Sequence, residues 1–240
     1  MSAAVSPLTA AERDPQSPPT RPAPRRLSPA GALDRASAVA AEIATRADAH
    51  DRDGSLPARS IASLWEAGLG NLTLAAEHGG EGADLLSASR AVRLVGAGDG
   101  ATALIWVMHL IHLKLIADVG LAGHVRDRVI ASSLRGPALI NALRVEPELG
   151  TPSRGGVPAT KAVRGTGSDG QPAWLLRGHK IYCTGSHGLR WLMVWAATAS
   201  DDPDGVRIGP FLVRRRPRHS SSARDRDPKD VGPPGDARFR

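Results

Sequence analysis

The sequence predicts an α+β protein in which an α-helical bundle is followed by an antiparallel β segment. Over residues 27–135, apolar side chains recur three and four positions apart, which is the spacing of helices that bury one face. From Gly136 onward the apolar pattern has a period of two and is rich in β-branched and aromatic residues, as in strands. This change of period divides the chain into a helical part and a β part.

Capping residues place the helices of the first part. Ser28 can cap a first helix, and Gly68 can take the left-handed conformation that ends a second one. Asp84 and Asp99 each precede an apolar run, and an aspartate in this position accepts from the free N–H groups of a helix start. A fifth helix is expected over residues 119–134, so residues 27–135 are predicted to form an all-α bundle domain.

Strands are expected throughout the second part, residues 136–213. GTGSDGQP and SDDPDG are dense in Gly, Pro and Asp, so each should link two strands as a hairpin. The expected strands are 138–144, 158–164, 173–182, 191–198 and 206–213.

The positive charge of the chain lies at its two ends. The formal net charge is +7, yet residues 214–240 alone hold eight arginines and one lysine against four aspartates. Residues 1–26 hold four arginines against one glutamate and one aspartate, which leaves the body between them formally neutral. Binding to nucleic acid needs Lys and Arg gathered on one surface, so we expect no nucleic-acid partner for the folded part.

Both end segments are expected to be disordered. Residues 1–26 contain six prolines and no continuous apolar stretch, so they are interpreted as a disordered leader rather than a secretory signal. Residues 214–240 are almost without apolar side chains and cannot bury the face of a helix or strand. Their Arg, Pro, Gly and Ser content suggests the hypothesis of a shifted reading frame, which the gene sequence would test.

Cys183 is the only cysteine, so the sequence excludes an internal disulfide and any multi-cysteine metal cage. The longest apolar run, residues 101–113, stops at Lys114, short of the roughly 20 residues that cross a bilayer. We therefore expect a cytoplasmic protein with no membrane partner. His109 and His112 are three residues apart, but without an acidic partner they predict no metal site, and each is interpreted as a buried histidine with hydrogen-bond partners.

Three motifs in register resemble the acyl-CoA dehydrogenase superfamily. LRVEPELGT (143–151) is similar to its Thr-Glu-Pro-x-x-Gly-Ser stretch, and GHKIYCTGS (178–186) is similar to its Lys-x-Trp-Ile-Thr-Asn/Gly stretch. EAGLGNLTLAAEHGGEGAD (66–84) resembles the Glu-x-Gly-Leu and Gly-Gly-x-Gly segment of the helical domain. The resemblance covers roughly residues 27–213 and implies a helical domain followed by a partial antiparallel β-barrel-like domain, with the family's C-terminal four-helix domain absent.

The resemblance also implies a flavin cofactor, FAD, and names residues that contact it. Tyr182 takes the position of the family's Trp, and Thr184 takes that of its Thr. On a strand these two side chains would point to the same side, about 7 Å apart, so that one packs along the isoalloxazine and the other reaches its N5 and O4 region. Cys183, between them in the same cofactor-binding segment, would face into packing.

The Glu-Pro segment departs from the family pattern at two positions. Val145 stands where a Thr usually precedes Glu-Pro, so only main-chain groups can meet the flavin there. Gly150 and Thr151 match the Gly-Ser that meets pyrophosphate or thioester-substrate atoms, whereas Pro152 replaces a common Asp.

The reaction implied by the resemblance is α,β-dehydrogenation of an acyl thioester, with hydride transfer to FAD. Its substrate would be acyl-CoA or another small molecule, its electron acceptor is not specified, and intact relatives are expected to be homo-oligomers. No carboxylate of this chain can be assigned as the base, which the resemblance places in the C-terminal domain. The chain by itself is therefore expected to bind FAD weakly and to be inactive.

Two other functions remain open from the sequence. The first is a monooxygenase of the desulfurisation type that uses reduced FMN and oxygen, in which His109 would approach the flavin. The order Tyr-Cys-Thr-Gly favours this alternative. The second is a non-catalytic binding module whose basic tail meets acidic partners, and loss of heparin retention on deletion of residues 214–240 would support it.

Overall fold

In a computed structural model, residues 29–119, 123–149, 155–166, 172–215 and 237–239 are described. Within these ranges the predicted α+β class is confirmed, because a helical bundle precedes a curled sheet. The helices are α1 (Pro29–Asp53), α2 (Ala58–Glu66), α3 (Leu85–Gly98), α4 (Gly100–Asp118) and α5 (Gly123–Arg135), with a 3-10 turn at Ala76–His78.

Asp84, Asp99 and Gly68 act as predicted, whereas Ser28 lies outside the described residues. The Asp84 carboxylate accepts from the Ser87 N–H at 2.7 Å at the start of α3, and Asp99 accepts from the Ala101 N–H at 3.0 Å at the start of α4. Gly68, with φ of 76°, follows the end of α2. The fifth helix starts later than expected, because Val119 closes α4 instead of opening α5.

Most of the helical core lies between α1, α3 and α4. Its buried members include Ile43, Leu64, Val95 and Trp106, none of which is exposed to solvent. At roughly 25 cal/mol per Å² of apolar surface, each such side chain contributes about 2 kcal/mol to folding. This packing holds the helices of the bundle together.

The predicted strands all form, with shifts at their ends. They are β1 (Ile140–Leu143), β2 (Lys161–Thr166), β3 (Pro172–Lys180), β4 (Trp191–Thr198) and β5 (Ile208–Arg214), with a 3-10 turn at Ser186–Gly188. β2 pairs antiparallel with β3, and β4 pairs antiparallel with β5, so both predicted hairpins are confirmed.

The sheet is mixed, which corrects the expectation of an antiparallel β segment. β1 runs parallel to the first half of β4, where Ile140 faces Trp191, and β2 runs parallel to its end, where Lys161 faces Ala197. β5 occupies the other edge of β4. Turn residues identify the two hairpins locally, but the pairing of β4 with β1 and β2 joins distant segments and leaves no local signal.

Both faces of β4 are buried. Trp191 and Met193 pack with α4 and α5, whereas Leu192 and Val194 pack in a second cluster that includes Ile105 of α4. Alternating side chains of a strand point to opposite faces, so this one strand joins two cores. The sheet and the helices consequently share their packing.

α4 has the length and apolarity that a membrane span requires, and no other helix of the described ranges has both. Half of its apolar window is buried inside the fold, and a core helix passes the same test. Its exposed side includes Leu104, Ile111 and Leu115. The helix is longer than the sequence run suggested, because it continues through Lys114 to Asp118.

The tail differs from its predicted disorder at two places. β5 extends to Arg214, and Ala237–Phe239 forms a sixth strand, β6, antiparallel to Gly178–Lys180 of β3. Strand pairing needs only main-chain groups, so a segment poor in apolar side chains can still extend a sheet edge. Residues 216–236 lie outside the described residues, as do residues 1–28, and the prediction of disorder is untested there.

Candidate functional site

The structure brings together the two motif segments that the sequence places about 30 residues apart. The Ile181 N–H donates to the carbonyl oxygen of Val145 at 3.0 Å. The Glu-Pro segment that follows β1 therefore lies directly beside the loop that follows β3. Gly150 and Thr151 lie outside the described residues, so their predicted contacts stay predictions.

Tyr182 does not lie on a strand, and this corrects the predicted geometry. β3 ends at Lys180, and Tyr182 has a φ of 55°, the only positive value among the non-glycine residues described. Its side chain is 80% exposed. A bulky residue in the left-handed region costs about 1–2 kcal/mol, so the surrounding structure must hold it there. The two-residue alternation expected for Tyr182 and Thr184 does not apply.

Thr184 lies in the turn after Tyr182 and is partly buried. Its N–H donates to the Tyr182 carbonyl at 3.1 Å, and its own carbonyl accepts from the Asn141 side-chain amide at 3.0 Å. The hydroxyl of Thr184 has no hydrogen-bond partner among the described residues.

Cys183 is buried, as predicted, with 1% of its surface exposed. It packs in the second cluster with Ile105, Leu139 and Leu189. Any contact between this residue and a cofactor must therefore come from its main chain. Gly185 follows with a φ of 69°, and a Cβ there would lie 3.3 Å from Ile105 of α4. A larger residue at position 185 would therefore be crowded against α4.

A buried carboxylate at the base of the two loops was not assigned any role from the sequence. Glu146 is 1% exposed, and its Oε1 accepts from Lys180 Nζ at 2.7 Å. The same oxygen accepts from the N–H and the hydroxyl of Thr160, at 2.9 and 2.6 Å, while Oε2 accepts from the Ala159 N–H at 2.7 Å. Glu146 belongs to LRVEPELGT and Lys180 belongs to GHKIYCTGS. Their places in the two motifs were the signal in the sequence that could have indicated this ion pair.

These donors decide the charge of Glu146. Burial acts to raise the pKa of its carboxyl, but the hydrogen bonds from Lys180, Thr160 and Ala159 outweigh it and lower the pKa to about 2. Burial lowers the pKa of Lys180, and the bond to Glu146 opposes that shift. Glu146 is therefore a fixed anion with its oxygens occupied, which is unsuited to a proton-abstracting base.

His109 lies in the core. It is fully buried, its Nδ1 accepts from the Ile140 N–H at 3.3 Å, and its Nε2 lies 3.3 Å from the Ser133 hydroxyl. Burial lowers the pKa of the imidazole to about 3, so the ring is neutral. The interpretation of His109 as a buried histidine with hydrogen-bond partners is confirmed. No group of three metal-ligating side chains occurs among the described residues.

Comparison with known proteins agrees with this architecture. Residues 34–126 match the family model "Acyl-CoA dehydrogenase, N-terminal domain". YdbM of Bacillus subtilis (strain 168), which is named as an acyl-CoA dehydrogenase, is 31% identical over 188 residues, covering 76% of this chain and 46% of YdbM.

Solved structures share the fold across both parts of the chain. KijD3 in complex with FMN and a dTDP-sugar superposes with a TM-score of 0.64 at 26% identity, covering 82% of this chain and 46% of KijD3. TdsC from Paenibacillus sp. A11-2, described as a dibenzothiophene monooxygenase and solved with FMN and indole, gives a TM-score of 0.61 at 21% identity. That match covers 76% of this chain and 43% of TdsC.

The helical bundle joined to a curled mixed sheet is a fold that this chain shares with these solved structures. Over residues 34–126 the chain carries the N-terminal domain of the acyl-CoA dehydrogenase family, in agreement with the motif resemblance. It spans less than half the length of the relatives it matches.

Proposed function

We propose that this chain forms the flavin-contacting half of a flavin-dependent oxidoreductase of the acyl-CoA dehydrogenase type. The hydrogen bond from the Ile181 N–H to the Val145 carbonyl carries the proposal, because it joins the two segments whose counterparts would meet one cofactor. The exposed ring of Tyr182, and the hydroxyl of Thr184 with no hydrogen-bond partner among the described residues, fit such a group at the same loop.

The residues of this chain would bind and orient the cofactor. Tyr182 offers a flat face to the ring system, and the Thr184 hydroxyl can donate to a ring nitrogen or oxygen. Main-chain groups near Val145 would meet the pyrimidine edge, since the valine side chain cannot hydrogen-bond. When bound, the flavin supplies the electron-accepting centre that no amino-acid side chain provides.

The first candidate reaction is dehydrogenation of an acyl thioester with FAD. YdbM supports it as the relative with 31% identity. No described carboxylate is placed as the base, so we propose that the whole protein supplies that group from outside this chain.

The second candidate is a monooxygenase that uses reduced FMN. The observation in its favour is KijD3, a solved structure with FMN that is 26% identical to this chain. His109 would not be its flavin-contacting group, because the ring is fully buried and both nitrogens have partners.

Titration of the purified chain with FAD and with FMN, followed by quenching of flavin fluorescence, tests the proposal. We expect weak, saturable binding that the Thr184→Val substitution weakens about tenfold, the value of one lost hydrogen bond. Thr45→Val, at an exposed threonine of α1, is the matched control and should leave binding unchanged. Absence of saturable binding to either flavin, or equal effects of the two variants, would contradict the proposal.

A further inference from the structure

Three segments meet at the Glu146 carboxylate, which accepts four hydrogen bonds. Glu146 follows β1, Ala159 and Thr160 precede β2, and Lys180 is the last residue of β3. All four contacts are hydrogen bonds of 2.6–2.9 Å, and the side chains of Lys180 and Glu146 are 0% and 1% exposed. A single carboxylate therefore joins the ends of three strands.

We propose that Glu146 and Lys180 are positioning residues that fix the separation of the two loops before any cofactor binds. The assignment rests on the proposed function, since it is this separation that a flavin would require. Neither side chain touches the cofactor itself, because both are enclosed by protein.

The register of the contacts supports this role. Val145 and Ile181 form the main-chain bond between the loops, and the adjacent residues Glu146 and Lys180 form the ion pair. Two cross-links between consecutive residues of each segment fix both distance and rotation, whereas one would leave a hinge. The strained Tyr182 lies two residues beyond Lys180 and depends on that restraint.

Gly178 shows that the chain makes room for this arrangement. A Cβ at Gly178 would lie 2.2 Å from the Thr160 hydroxyl oxygen and 2.7 Å from its Cα. The absence of a side chain at Gly178 lets Thr160 approach β3 and donate to Glu146 at 2.6 Å. The first glycine of GHKIYCTGS thus makes room for the hydrogen bonds to Glu146.

Positioning can be separated from stability because a buried ion pair is a poor source of stability. Removal of two charges from water costs about as much as their attraction returns, so a neutral pair of similar size can be equally stable. Removal of one partner alone leaves a buried charge without its partner and is strongly destabilising. A double substitution should therefore restore stability without restoring the cross-link.

The experiment compares Glu146→Gln, Lys180→Met and the double variant, using the full chain without flavin. We expect each single variant to lower the melting temperature by about 10 °C and the double variant to recover most of that loss. Hydrogen exchange followed by mass spectrometry should show at least about tenfold faster exchange in peptides covering 145–149 and 181–188 in all three variants. Lys114→Met, which removes an exposed ion pair of α4, is the matched control and should change neither measurement.

The double variant decides the proposal. If it recovers both melting temperature and slow exchange in the two loops, the pair is only structural and the proposal is wrong. If exchange accelerates equally across the whole chain, the effect is global, which also overturns it. These readouts contain no flavin, so they stand even where flavin titration of the wild-type chain fails. Where the wild-type chain binds flavin, the double variant should bind at least about tenfold more weakly.

Discussion

Tyr182 combines strain with exposure. Its φ of 55° is an unfavourable backbone conformation for a tyrosine. Because the side chain is 80% exposed, it contributes little packing that could offset this strain. Such outliers occur where a side chain must be presented in a particular place. The proposed contact with a flavin ring gives this presentation a purpose.

Replacement of Tyr182 by glycine should separate these two properties. Glycine takes positive φ without steric cost, so we expect Tyr182→Gly to raise the free energy of unfolding by up to about 1 kcal/mol, as measured by urea denaturation. The same variant should weaken flavin binding because the ring is lost. Tyr182→Phe, which keeps both the ring and the strain, should leave stability and binding nearly unchanged. A destabilised Tyr182→Gly variant would show that the tyrosine packs usefully.

At the scale of the elements, the helical bundle depends on close approach between α1 and α3. A Cβ at Gly98, the last residue of α3, would lie 2.3 Å from the carbonyl oxygen of Ala40 in α1. Two turns of backbone therefore meet at a point where only glycine fits. Gly96 in the same helix differs, since a Cβ there would lie 3.5 Å from the Ala103 side chain, an ordinary contact.

The two glycines of α3 should respond oppositely to alanine. Gly98→Ala forces α1 and α3 apart, and overpacking of this kind typically costs about 1–3 kcal/mol. Gly96→Ala gains helix propensity and should stabilise by up to about 1 kcal/mol. Thermal unfolding followed by circular dichroism measures both. Equal shifts in the two variants would mean that the helices do not meet at Gly98.

For the whole molecule, buried groups with a lowered pKa, among them His109, His112 and Glu146, make stability fall with acid. The pKa of His109 is lowered from 6.5 to about 3, so the unfolded chain binds its proton first as pH falls. The pKa of Glu146 is lowered from 4.5 to about 2, which has the same sign over a more acidic range. The stability due to His109 is thus present above pH 6.5, and that due to Glu146 above pH 4.5.

Urea denaturation at several pH values checks this sign. Each group should remove about 1.4 kcal/mol per pH unit within its range, so the loss below pH 6.5 steepens below pH 4.5. His109→Gln should make the upper part of the profile less steep, and His112, whose pKa burial also lowers, keeps the remaining slope. His124→Gln, at an exposed histidine of α5, should keep the wild-type slope. Identical slopes in the two variants would contradict the assignment.

Features of the fold that depend on neighbouring residues could be predicted from the sequence, whereas features that depend on distant contacts could not. Asp84, Asp99 and Gly68 act on their own neighbours, so they identified helix ends correctly. The parallel pairing of β1 and β2 with β4 depends on contacts between segments that are far apart in the sequence. The alternation of apolar and polar residues within a strand does not indicate which strand pairs with it. The end of β3 at Lys180 was missed for a related reason, because the loop beyond it is held by bonds to Val145 and Asn141.

Period, turn residues and motif letters are local properties of the chain, so they were enough to predict the order of helical and β parts, the hairpins and the family resemblance. The folded structure brings the motifs together. It places Glu146 and Lys180 inside the protein as a pair, Tyr182 outside in a strained conformation, and His109 in the core as a neutral ring. Burial and hydrogen bonding between distant segments set these states, and neither can be assigned to a residue before its neighbours are known.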